Sequence, residues 1–170
     1  MNFNDYIRNI PDFPKEGILF KDITPLLKNN RAFKAAIDAL VEIYKDEDID
    51  YIVGIEARGF IIGTPMAYAL NKGFIPVRKP GKLPYDKYTA SYDLEYGSSE
   101  LEIHSDAFSK GDKILLVDDL LATGGTTKAS VDLIEKLGGE IVGIAFLLEL
   151  MDLNGRDMIE GYDIFTLLQH

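Results

Sequence analysis

The chain contains no cysteine, which removes disulfides, thiolate zinc sites and a cysteine nucleophile from consideration. Its two histidines, His104 and His170, have neither a metal-binding spacing nor the orienting partners of a triad. No Gly-x-Ser-x-Gly elbow is written, so serine hydrolysis is not indicated. Positive charge is scarce. With 18 basic and 28 acidic residues the net charge is −10, which repels nucleic acid over most of the surface and makes any basic pocket locally distinctive. No run approaches the ~18 apolar residues of a membrane span, and no basic region followed by an apolar stretch opens the chain. The expectation is a cytoplasmic protein with neither a nucleic-acid nor a membrane partner. Two common nucleotide sites are absent too. A Walker loop needs Gly-Lys-Ser or Gly-Lys-Thr where Gly125 is followed by Thr126, Thr127 and Lys128, and the dinucleotide fingerprint Gly-x-Gly-x-x-Gly does not occur.

A hydrophobic content of 46%, with 11% aromatics, and no low-complexity tract describe a globular chain. Its 170 residues fit one domain over 1–170, large enough to bury roughly two thirds of the unfolded surface. Apolar residues at Phe33, Ala36, Ile37, Leu40, Val41 and Tyr44 mark one helical face. Tyr51 to Ile55 reads as a strand, Gly59 to Leu70 as a helix closed by Gly73, and Phe74 to Val77 as a second strand, which implies a parallel crossover. Lys79 to Ser91 shows no period and reads as a moving lid or binding loop. Tyr92 to Glu95 and Glu100 to His104 alternate as a hairpin turning at Gly97 and Ser98. Strands at Ile114 to Val117, Ile141 to Leu148 and Ile164 to Leu168, with a helix near Thr126 to Leu137, complete an alternating pattern whose unbroken apolar runs suit burial on both faces. The expected fold is α/β, a doubly wound, mostly parallel sheet with a small hood formed by the N-terminal arm and a flexible flap.

The richest segment is Ile-Leu-Leu-Val-Asp-Asp-Leu-Leu-Ala-Thr-Gly-Gly-Thr, residues 114–126. An apolar strand runs into two carboxylates and then a small-residue turn that opens a helix. Backbone N–H groups of Ala122, Thr123, Gly124, Gly125 and Thr126 would cluster at the helix N-terminus, where unpaired donors and the helix dipole favour a phosphate. Asp118 and Asp119, one sugar length away, are placed to accept bonds from two neighbouring hydroxyls. A solvated acidic strand end would show the same two aspartates without the turn behind them. A second strand-to-helix turn, Glu56-Ala57-Arg58-Gly59, offers a place for a second anion. Arg78, Lys79 and Lys82 put three cations within five residues of an acidic chain, where phosphates would leave.

The 114–126 segment resembles the phosphoribosyl pyrophosphate (PRPP) signature of the type I phosphoribosyltransferases, and its Asp-Asp-Leu-Leu-Ala-Thr-Gly-Gly-Thr form is similar to the members that use adenine. The resemblance runs from about Phe13 to Arg156. It implies Mg²⁺-dependent transfer of a 5-phosphoribosyl group from PRPP to adenine, giving AMP and pyrophosphate, in a homodimer. It implies further that Glu56, Ala57, Arg58 and Gly59 form the pyrophosphate loop, and that Arg78, Lys79 and Lys82 reach the same group, partly across the dimer interface. Mg²⁺ would be carried by the pyrophosphate of PRPP, with no direct protein ligand. Glu95, in Tyr-Asp-Leu-Glu-Tyr-Gly, is implied as the acid or base beside the purine, with Tyr96 closing over it. The arm Phe13-Pro14-Lys15-Glu16-Gly17-Ile18-Leu19-Phe20-Lys21-Asp22 resembles the base-binding arm, with Leu19, Phe20 and Lys21 at the base and Lys21 where many relatives have arginine. A xanthine, hypoxanthine-guanine or orotate enzyme shares the PRPP parts, and a PRPP-sensing regulator or a receiver-type signalling domain would share less of the pattern.

Overall fold

The computed structural model describes residues 1–93 and 98–170. A 3₁₀ turn, Phe3–Tyr6, leads into a short antiparallel hairpin, β1 (Arg8–Pro11) with β2 (Leu19–Asp22). Helices α1 (Thr24–Lys28) and α2 (Asn30–Tyr44) follow. Asn29 caps α2 by accepting from the N–H groups of Arg31 and Ala32, satisfying donors that a helix start leaves open. Its core face is Ala32, Ala36, Ile37, Leu40 and Tyr44, spaced as the apolar periodicity predicts.

Then come β3 (Tyr51–Ile55), α3 (Arg58–Leu70) and β4 (Gly73–Val77). The expected stop at Gly73 lies two residues earlier: Asn71 takes the left-handed conformation at φ 55°, which its short polar side chain tolerates. Gly73 opens the next strand instead, where a Cβ would stand 2.8 Å from the Tyr51 ring. The hairpin β5 (Lys87–Asp93) and β6 (Ser98–His104) precedes β7 (Lys113–Leu121), α4 (Gly125–Leu137), β8 (Glu140–Glu149), two 3₁₀ turns and β9 (Ile164–Gln169).

The central sheet has five parallel strands in the order β4-β3-β7-β8-β9. Residues alternate between its faces. Ile52, Leu115, Val117, Ala145 and Leu147 pack under α2 and α3, while Val53, Leu116, Ile144 and Phe146 pack under α4 and the β5–β6 hairpin, as a period of two requires. Both faces are covered, so the sheet is doubly wound. By chain order its strands run 2-1-3-4-5 in space, which puts the topological switch point between β3 and β7, where such sheets open a crevice at their carboxyl edge.

The hairpin is rooted in the core. Leu101 and Ile103 of β6 are fully buried, and the chain between β4 and β5 is tied down by buried Leu83 and by two backbone bonds between Arg78 and Glu102. Residues 87–91, read from the sequence as part of an irregular loop, are strand and pair with Glu100 to His104. They carry no readable period because β5 is an outer strand that buries little of itself. Among the described residues no helix is long and apolar enough to cross a membrane.

Candidate active site

The crevice between β3 and β7 is a cavity of about 260 Å³ lined by Glu56, Ala57 and Arg58, by Lys79 and Tyr92, and by Asp118, Asp119 and the turn Ala122 to Thr127. Pairing explains its place. β3 leaves β7 after Gly54↔Val117, whereas β8 accompanies β7 to Leu121↔Glu149. Asp118 and Asp119 therefore lie within the strand rather than beyond it, on a stretch that β3 has vacated.

Two helices begin at this crevice, and neither has a side-chain cap: α3 starts after Ala57 and α4 after Gly124. Their first N–H groups have no intrahelical acceptor, and the positive ends of both dipoles face the same space. Gly124 is held left-handed at φ 87°, and a Cβ there would stand 2.4 Å from the Gly155 carbonyl oxygen. Only glycine fits this turn. Gly59 is needed for approach as well, since its Cβ would stand 2.9 Å from Asp118 Oδ1; it packs α3 onto β7 and is not among the lining residues.

The two aspartates differ in partners. The Asp119 N–H donates to Asp118 Oδ1 at 2.8 Å, and Arg58 Nε meets Asp119 Oδ2 at 2.8 Å. Burial, then the neighbouring Asp119 charge, pushes the Asp118 carboxyl well above the ordinary aspartate range. Burial raises Asp119 as well, against the opposing pull of Arg58. Burial makes this pair costly to ionise, and a cation or hydroxyl donors beside it would favour the charged form.

Glu56 behaves oppositely. Its buried carboxylate accepts from the Lys79 N–H at 2.8 Å, Lys82 Nζ at 2.5 Å and Arg78 Nε at 3.3 Å. Burial alone would raise it, but Lys82, the Lys79 N–H and Arg78 together hold it below its ordinary value. The peptide joining Glu56 to Ala57 is cis. The structure thus brings the basic segment to the α3 start, with Arg78 and Lys82 on Glu56 and Lys79 lining the cavity.

The arm divides by strand alternation. Leu19 and Lys21 line a largely apolar cavity of about 410 Å³ with Gly17, Ile18, Leu150, Asp152, Leu153 and His170. Phe20 points the other way, stacked edge-on against Phe13 at 5.1 Å and under the Arg58 guanidinium at 5.9 Å. Lys21 donates to Asn9 Oδ1 at 2.9 Å. His170, which sequence reasoning set aside, has its ring nitrogen 2.8 Å from Asn4 Oδ1, and burial, then Lys21, lowers its pKa. Leu150 ties the lining of this cavity to the strand before the turn, its N–H donating to the Leu121 carbonyl just before Ala122. Tyr92, also missed, passes with Asp93 over the start of α4, 3.6 Å from where a Gly125 Cβ would stand. Glu95 and Tyr96 lie outside the described residues. The signal that could have found Leu150, Asp152 and His170 is topological: chain leaving the carboxyl ends of β8 and β9 must line the same edge as the switch point.

A doubly wound sheet with two uncapped helix starts and an acidic pair at its switch point defines the α/β class that takes a phosphorylated ligand there. Residues 22–168 match the family model described as phosphoribosyl transferase domain. An adenine phosphoribosyltransferase of Halothermothrix orenii is 69% identical over 169 residues, 99% of each chain. The crystal structure of adenine phosphoribosyltransferase from Thermoanaerobacter pseudethanolicus superposes with a TM-score of 0.96 at 52% identity, covering 99% of this chain and 98% of that one. That of the Saccharomyces cerevisiae enzyme, complexed with an imino-altritol 1,6-bisphosphate and adenine, gives 0.92 at 42% identity, covering 98% and 96%. The chain belongs to the phosphoribosyltransferase family and, within it, to the adenine phosphoribosyltransferases.

Proposed function

We propose that this protein, acting as a single domain, transfers the 5-phosphoribosyl group of PRPP to adenine, releasing pyrophosphate and forming AMP. The observation that carries the reading is the crevice at the switch point: two helix starts set for anions, with two buried aspartates on the strand beside them. A sugar with a phosphate at each end matches that layout, its 5′-phosphate on the main-chain amides of Ala122 to Thr126 and its pyrophosphate at the α3 start. The cavity at Leu19, Lys21 and Leu150 takes the purine, an apolar slot of the kind that holds a flat heterocycle.

Breaking the anomeric bond leaves positive charge on the ribose ring and negative charge on the departing oxygens. Asp118 and Asp119 meet the first. Burial disfavours their charged forms and a cationic ring beside them favours those forms, so the interaction is stronger at the transition state than before it. One charge pair at ~4 Å and an effective dielectric of ~20 is worth about 4 kcal/mol, or roughly a thousandfold in rate. Arg58, Lys79 and Lys82 meet the second charge, Arg58 exchanging Asp119 for pyrophosphate and so leaving that carboxylate to the ribose hydroxyls. Mg²⁺ supplies further neutralisation when bound. It would be carried by the pyrophosphate of PRPP, since Mg²⁺ keeps phosphate and water ligands readily and Glu56, a further carboxylate lining the cleft, is engaged by Arg78, Lys79 and Lys82.

Adenine attacks through its own ring nitrogen, so no enzyme nucleophile is needed. Glu95 serves as the acid or base at the purine and Tyr96 closes over the site, a role supported by Tyr92 and Asp93 already reaching across the start of α4. Closure excludes the water that would otherwise hydrolyse PRPP. A homodimer completes the proposal, supported by Ile61 on the outside of α3, 41% exposed, and the apolar groove that it forms with Phe13 and Phe20 beside Arg58. A cytoplasmic location follows from the substrate, a multiply charged sugar that does not cross an apolar barrier unaided. The test is pyrophosphate release with PRPP and Mg²⁺ across adenine, hypoxanthine, guanine, xanthine and orotate. Adenine is expected to be turned over fastest; a preference for another base overturns the assignment.

A further inference from the structure

We infer that Arg156 and Glu149 are positioning residues for the 5′-phosphate end of the sugar, setting the Ala122 to Gly124 turn from behind through Gly155. This deepens the function proposed above and rests on that reading of the cleft. Neither residue is among those lining the cavity.

Glu149 ends β8 and is buried. Its carboxylate accepts a two-pronged contact from Arg156, Nε to Oε1 and Nη2 to Oε2, both at 2.7 Å. Thr166 Oγ1 donates to Oε2 at 2.9 Å and Arg156 Nη1 donates to the Ile164 carbonyl at 3.3 Å. The fork therefore pins the 3₁₀ turn Gly155–Ile159 to the carboxyl end of β8 and to Ile164 and Thr166 in the first half of β9 in one orientation, which a single-point cation would leave free to rotate. Arg156 and its partners also hold Glu149 ionised, below its ordinary value.

The brace meets the phosphate turn backbone to backbone. A Cβ on Gly155 would lie 2.3 Å from the Ala122 carbonyl oxygen, and one on Gly124 would lie 2.4 Å from the Gly155 carbonyl oxygen. The two segments are packed with less than a methyl group between them, so a shift of the turn Gly155–Ile159 is a shift of the amides that grip phosphate. Close packing transmits displacement of this kind, and an error of about 1 Å in such a grip costs up to ~100-fold.

The test measures binding of AMP, ribose 5-phosphate and pyrophosphate, each with Mg²⁺, by calorimetry on the full chain and on Arg156→Lys, Arg156→Met, Gly155→Ala and Thr166→Val. Arg156→Met and Gly155→Ala are expected to weaken both 5′-phosphate ligands about tenfold or more, with pyrophosphate affinity within about twofold of wild type. Arg156→Lys falls between wild type and Arg156→Met. In turnover, KM for PRPP rises while kcat at saturation changes little. Thr166→Val removes the hydroxyl that donates to Glu149 and accepts from Arg156 and Gln169, keeps the fold and moves the same ligands a few-fold. Variants that fold and bind AMP like wild type overturn the brace alone, as does an equal loss for pyrophosphate with a falling melting temperature. Wild-type protein that takes up none of the three ligands overturns the reading of the cleft and the brace with it.

Discussion

The two ends of the cleft are built on different principles. At the α4 end the grip is main chain, fixed by a left-handed glycine and backed by Gly155 with no space to relax. At the α3 end it is side chain, and three of the cations already sit on carboxylates: Arg58 is on Asp119, and Arg78 and Lys82 are on Glu56. One end is preorganised, and the other must trade ion pairs when a ligand arrives. Preorganised donors stabilise developing charge without reorganisation at the moment of reaction, while exchangeable pairs let the leaving group depart. The division suits a sugar that keeps one phosphate and loses the other.

The carboxylates between these ends give the comparison its sharpest test, because Asp118 is pushed up and Glu56 is held down. Asp118→Asn carries the largest expected effect, a fall in kcat of about a thousandfold if the charge pair at the ribose is worth the estimate above. Stability should move the other way. Asp118 binds its proton more tightly folded than unfolded, so wild-type stability falls as pH rises through the ordinary aspartate range toward the folded pKa. Asparagine removes that penalty, and the variant should melt higher than wild type at neutral pH, with the gap closing in acid. A variant that melts lower at neutral pH would show the acidic pair to be a scaffold feature.

Next in size is Gly124→Ala, which forces a side chain into both a left-handed backbone and the Gly155 carbonyl. PRPP affinity is expected to fall by up to ~100-fold, with a loss of about 1–3 kcal/mol in stability. Unchanged binding in calorimetry would mean that the α4 end is not preorganised. Arg58→Gln should be gentler, raising KM for PRPP about tenfold, since the other cations at that end remain; an effect confined to kcat would place Arg58 with the ribose instead of the pyrophosphate. Smallest is Glu56→Gln. Glu56 is more acidic folded than unfolded, so it contributes stability above the ordinary glutamate range that is lost as pH falls through its folded pKa. The variant should melt lower than wild type at neutral pH and match it in acid, the reverse of Asp118→Asn. Pyrophosphate should bind a few-fold tighter once Arg78 and Lys82 lose their competitor, and weaker binding would make Glu56 a scaffold for those cations.

How much of this was legible before folding depended on whether a feature is local. β3, β7 and β8 announce themselves as apolar runs buried on both faces and β9 as a shorter, partly buried one, and the phosphate turn is contiguous with its strand and helix. The α3 turn was legible as a strand-to-helix junction, though the Arg58 to Asp119 pair joins residues far apart in the chain. The β1–β2 hairpin, α1 and residues 87–91 escaped because they are short or bury too little to leave a period. The Gly124 to Gly155 contact and the Glu149 to Arg156 fork escaped for another reason, since only the parallel neighbours β7, β8 and β9 bring those positions together. Phe20 shares β2 with Leu19 and Lys21 but sits on the opposite side from them, a consequence of strand alternation.

A grip made of main-chain amides has no side chain to edit. Mutation can spoil the hold of Ala122 to Gly124 on its ligand but has little means of adjusting it by degrees, whereas the slot formed by Leu19, Lys21, Leu150 and His170 can be reshaped one residue at a time. On the proposed reading, inherited variation and deliberate redesign therefore have unequal access to this molecule: the heterocycle that it would accept is open to revision, and the handle by which it would hold the sugar is not.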